Sequence, residues 1–117
     1  MNLALERPEK MDRTEYHIIH ALLSEASRRE YAITVWNSVY NEYASKVIHR
    51  GTNYAKIFRA MASDESALLD VYQAGVGRGY PASRGWIAIL WGERDTIISD
   101  YADTPEMRSL IQIAEAA

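Results

Sequence analysis

Between Tyr31 and Ser45 the chain carries one ionised side chain, Glu42. A helix whose outer side meets water normally carries Lys and Glu there. Read as a helix from about Arg28 or Arg29 to Arg50, this stretch places Ala32, Val35, Trp36, Val39, Tyr40, Tyr43 and Val47 on one apolar side, widened by Ile33, Ala44 and Ile48. The opposite stripe is Thr34, Asn37, Ser38, Asn41 and Ser45, polar but uncharged. Such a segment is expected to sit centrally, or to turn its second side toward another chain. Gly51 then supplies a helix C-terminal cap.

The remaining apolar spacing also reads as helical. Asp12 is an expected N-cap with Glu15 three residues on, opening a helix to about Ala26 with Tyr16, Ile19, Leu22, Leu23 and Ala26 on one side. A short helix is expected over about Asn53 to Ala62, with Tyr54, Ile57, Phe58 and Met61 inward. A fourth, capped by Ser63, carries Leu68, Leu69, Val71 and Tyr72 and stops at Gly75. A fifth runs from Ser83 through Trp86, Ile87, Leu90, Ile97, Ile98 and Tyr101, broken or closely packed at Gly92. "WIAILW" within it also reads as a buried strand, but it has no obvious pairing partner and a strand needs one. The last helix follows "DTPE", with Thr104 or Asp103 as cap, Pro105 in its first turn, and Met107, Leu110, Ile111 and Ala114 inward. The expected fold class is all-α: a compact irregular bundle of five to six helices in one domain over residues 11–117, preceded by a flexible N-terminal arm at 1–10.

Composition narrows the function classes. The chain has 117 residues and no cysteine, so disulfides and thiolate metal sites are excluded and a cytoplasmic, reducing setting is expected. No apolar run approaches the ~20 residues of a membrane span, and the charged start "MNLALERPEK" does not read as a secretory signal. Charge is unevenly spread. Lys46, Arg50, Lys56 and Arg59 fall in a stretch without acids, whereas the segment after Gly92 is dominated by Glu93, Asp95, Asp100, Asp103, Glu106 and Glu115.

Three motifs bear on chemistry. The run "GVGRGYPASRG" lacks the strand before it and the G-x-G-x-x-G spacing of a dinucleotide turn, and it lacks the Lys-Ser/Thr ending of a phosphate loop. Its Gly-Val pair suits a helix-turn-helix, but Pro81 obstructs a recognition helix within the usual turn length. It reads as a joint between helices, in which Arg78 and Arg84 can contact an acidic partner. His17 and His20 lie one turn apart and could share a metal, or could serve a helical RNase or hydrolase with Arg13, but no further ligands stand in sight. The basic segment Lys46, His49, Arg50, Lys56 and Arg59, with Tyr54 or Phe58 as stacking groups, offers a nucleic-acid surface.

The expectation is a non-catalytic protein-interaction module, without cofactor or metal, of the inhibitor, immunity or anti-defence kind that blocks a larger protein or nucleoprotein machine. Its partner-binding residues would be Thr34, Asn37, Ser38, Asn41, Ser45, Arg78 and Arg84, and a homodimer is possible. The alternatives are a small DNA- or RNA-binding regulator using residues 46–59, and an RNase or hydrolase using His17 or His20.

Overall fold

The protein is an α/β structure, a five-stranded antiparallel sheet with helices packed on one side, seen in a computed structural model that describes residues 3–36, 47–73 and 83–117. The expected all-α bundle is therefore wrong. In chain order the elements are α1 (Arg13–Arg28), β1 (Tyr31–Trp36), β2 (Val47–Gly51), α2 (Tyr54–Met61), β3 (Ser66–Gln73), β4 (Ser83–Leu90), a 3-10 turn at Arg94–Thr96, β5 (Ile98–Tyr101) and α3 (Pro105–Glu115). The strand order is β2-β1-β3-β4-β5.

Three of the expected helices form, two of them at the caps read from the sequence. Asp12 caps α1, accepting from the backbone N–H groups of Thr14 at 2.9 Å and Glu15 at 3.2 Å. Asn53 caps α2 through Lys56 N–H. Thr104 caps α3 through Met107 N–H, with Pro105 in the first turn. Of the residues the spacing turns inward, Ile19, Leu22, Leu23 and Ala26, then Tyr54, Ile57, Phe58 and Met61, then Met107, Leu110, Ile111 and Ala114 are buried, whereas Tyr16 is half-buried and Ile18, which the spacing did not give, is buried.

The long helix expected from about Arg28 to Arg50 does not form. Glu30 adopts a left-handed conformation, φ 60°, and ends the helical path just past α1. The next residues, Tyr31-Ala-Ile-Thr-Val-Trp36, are aromatic and β-branched, stiff at χ1 and suited to a pleated surface. Gly51 is the last residue of β2 rather than a helix cap. Residues 37–46 lie outside the described residues, and with them Asn37, Ser38, Asn41, Ser45 and Lys46.

The fourth and fifth expected helices are strands as well. Ser63 bonds back to the Ala60 carbonyl, and Ser66–Gln73 is β3. "WIAILW" is mostly β4, and its pairing partner is β3, with Leu69 opposite Ile87 and Ala67 opposite Ile89. Gly92 lies in the turn after β4, not inside a helix. Of the expected glycine joint, residues 74–82 lie outside the described residues, while Gly85 lies within β4.

Register separates the two sides of the sheet. Ile33–Val71–Gly85 and Val35–Leu69–Ile87 are rows on one side, and these residues join α1, α2 and α3 in a single core. α2 packs on β1 and β2, α3 on β4, and α1 on both β1 and α3. At Gly85 the backbone takes φ +142° and approaches α3 so closely that an added Cβ would stand 2.3 Å from Met107 Cγ. The chain before α1 is tied down too. Leu5 is buried, its carbonyl takes the Tyr16 hydroxyl, and the Leu3 carbonyl lies 2.9 Å from His20 Nε2.

Candidate interaction face

The other side of the sheet is built from the alternate residues of the same strands. Its rows are Val47–Trp36–Leu68–Ala88–Asp100, Arg50–Thr34–Asp70–Trp86, and Ala32–Tyr72. Among the described residues no helix packs here, because all three helices contribute to the core on the opposite side. Antiparallel sheets that face water on one side normally place polar residues there. This one presents two indoles, a phenol and Leu68 around a floor of small side chains. Ala32, Thr34 and Ala88 are buried, whereas Trp86 stands 36% exposed.

Few polar atoms interrupt the face, and they are held. The Trp36 indole Nε1 donates to Asp70 Oδ2 at 2.8 Å, which fixes both the ring and the carboxylate. The Thr34 hydroxyl lies 3.4 Å from the Tyr72 hydroxyl. No described residue accepts from the Trp86 indole N–H. A buried tryptophan usually finds such a partner, and this amphipathic character is what suits the residue to interfaces.

A second feature is an acidic recess of about 730 Å³ between the start of α1 and the turn after β4, lined in part by Asp12, Glu15, Asp64, Glu65 and Glu93. Its deepest carboxylate has a structural job. Glu15, 4% exposed, accepts from the backbone N–H groups of Gly92 at 2.7 Å and Arg94 at 2.9 Å. Glu15 thus does not reach back to its own helix cap but locks the β4–β5 connection to α1. Arg94, at φ 52°, places its guanidinium 3.6 Å from Asp12.

The residues singled out from the sequence disperse. Thr34 is on the open face, but only 4% exposed. Arg84 lies in β4, half-buried, and its carbonyl accepts from the Thr104 hydroxyl. Arg78 lies outside the described residues. His49 and Arg50 belong to the edge strand β2. Lys56 and Arg59 are exposed on α2, in the helical layer. The proposed stacking groups are in the core, Tyr54 8% and Phe58 2% exposed. Tyr54 donates its hydroxyl to the Tyr31 carbonyl, and burial pushes its pKa up to about 12. His20 faces the Leu3 carbonyl and Ser24. Among the described residues no cluster of three or more His, Asp or Glu could hold a metal ion.

Sequence spacing missed the face itself. Trp36, Leu68, Tyr72 and Trp86 were assigned to inward helix stripes. The available signal was the period-2 run Ala67, Leu69, Val71 against Ser66 and Asp70. Among the described residues no helix is long and apolar enough to cross a membrane. The chain matches no protein-family model, no curated protein and no solved structure.

Proposed function

We propose that this chain is a non-catalytic protein-binding module whose working surface is the open face of its sheet. The observation that carries the reading is the outward Trp86, 36% exposed, beside Trp36, Leu68 and Tyr72 on a face that no described helix covers. Trp86 is exposed and Trp36, Leu68 and Tyr72 are half-buried beside it; outward apolar side chains grouped in this way suit an interaction site, and Trp and Tyr are the residues enriched in interface anchors. A compact domain presenting one such face suits a blocking role, in which it occludes a surface of a larger protein or nucleoprotein machine. The cysteine-free sequence supports a cytoplasmic setting.

The test is hydroxyl-radical footprinting of the dilute purified chain, in buffer and in nuclease-treated host lysate. Oxidation of Trp86 and Tyr72 is expected to fall in the lysate and to return when the lysate is first digested with protease. Equal oxidation in all three conditions refutes the reading.

A further inference from the structure

We propose that the partner on this face is a second copy of the chain, packed sheet against sheet. The inference rests on the reading of the face as a protein-docking surface and names its occupant.

Two arguments carry it. The first is size. Strands about 4.8 Å apart and about six residues long at ~3.3 Å each give the five-stranded face a footprint of about 400 Å². Because the floor residues Ala32, Thr34 and Ala88 are buried and most of the large side chains are half-buried, each copy would cover about 400 Å², the range of a weak, reversible interface. The second is self-complementarity. Asp70 on β3 and Trp86 on β4 are register partners in the middle of the face. A two-fold axis running along the strands between β3 and β4 lays β3 of one copy on β4 of the other. The Asp70 carboxylate, which uses one oxygen on Trp36, then meets the Trp86 indole N–H of the second copy. Leu68 lies over the low floor at Ala88, which leaves room for it, and the two Asp70 groups stay one strand apart. Two sheets stacked this way keep their strands roughly aligned.

Charge at the centre of the face favours protein over nucleic acid: the ionised group there is the Asp70 carboxylate, which repels phosphate, while the cation of the same row, Arg50, stands at the β2 edge and Lys56 and Arg59 are on α2 in the opposite layer.

Sedimentation velocity on the full chain, from about micromolar to about millimolar, tests the proposal. The native chain is expected to pass from one-chain to two-chain mass with rising concentration. Trp86→Arg and Leu68→Glu are each expected to raise the dissociation constant at least about tenfold. Ile113→Arg, on the exposed side of α3, leaves it unchanged. Urea unfolding of each variant confirms its fold, and either face variant suffices if the other does not fold. One-chain mass at every concentration overturns the proposal, as does a dimer that both face variants leave intact. Salt-sensitive quenching of tryptophan fluorescence by oligo(dT), without self-association, overturns it in favour of nucleic acid. In the one-chain case the lysate footprint separates the failures: protection of Trp86 by lysate protein leaves the docking reading standing, and no protection removes both.

Discussion

Replacing Gly85 with Ala is expected to be among the most damaging one-methyl changes in this molecule, for two separable reasons. The backbone there holds φ +142°, a region that costs a residue with a Cβ about 1–3 kcal/mol. The new methyl would also stand 2.3 Å from Met107 Cγ and 3.2 Å from Ala102 Cβ. Met107 is fully buried in α3, and the clash falls on the middle of its side chain, so it cannot simply swing away. Overpacking of this kind adds about 1–3 kcal/mol. The expected total is about 2–6 kcal/mol, against a total stability of roughly 6–18 kcal/mol for a chain of this length. Gly92→Ala is the internal control, because its φ is +95° and nothing lies within 4 Å of the added Cβ, so it bears the backbone cost alone. Equilibrium urea unfolding of both variants measures the difference. Combining Gly85→Ala with Met107→Ala relieves the clash, so the double variant is expected to fall short of additivity by about 1–3 kcal/mol. If Gly85→Ala costs no more than Gly92→Ala, or if the double variant is additive, the close approach of α3 to β4 described here is wrong.

Other perturbations are equally specific. Glu15→Ala strands the N–H groups of Gly92 and Arg94 and is expected to cost about 1–3 kcal/mol in urea unfolding, whereas Asp64→Ala on the rim of the same recess costs under about 0.5. Hydrogen bonding to Arg28, with Arg29 assisting, outweighs burial and holds the Glu25 carboxyl at about 2. Its stabilisation is present above the unfolded carboxyl range and is lost as pH falls toward 2, so Glu25→Gln is expected to flatten that acid limb of an unfolding-versus-pH curve. Tyr54 titrates near 12 in the folded chain, so the stability it contributes is lost as pH rises from about 10 to 12. Tyr54→Phe removes that alkaline limb and costs about 1 kcal/mol at neutral pH.

The helices were legible because their ends are written locally. Asp12, and Thr104 followed by Pro105, are caps whose side-chain bonds form within three residues. The strands were not, and the reason is physical. A half-solvated strand announces itself by alternation, but Trp36, Leu68, Trp86 and Leu90 put apolar groups on the outer side as well. With both sides apolar, Leu68, Leu69, Val71 and Tyr72 fit a helical stripe as readily as a pleat. The outward apolar side chains on which the docking proposal rests are the ones that hid the sheet. The left-handed turn at Glu30 carried no sequence signal, since it is neither Gly nor Asn. Thr34 was placed on a contact surface, yet its 4% exposure leaves little of it to meet a partner, and the large residues beside it present the area instead.

The order of the strands also sets how the molecule breathes. β1, β3 and β4 each have a neighbour on both sides, while β2 and β5 have one. Amide protons in the middle three are therefore expected to exchange with solvent only when the whole chain opens, whereas those of the rim strands escape through local fraying. Trp36 and Trp86 ride on that central panel, so the face proposed to meet a partner is expected to keep its shape while the margins flicker.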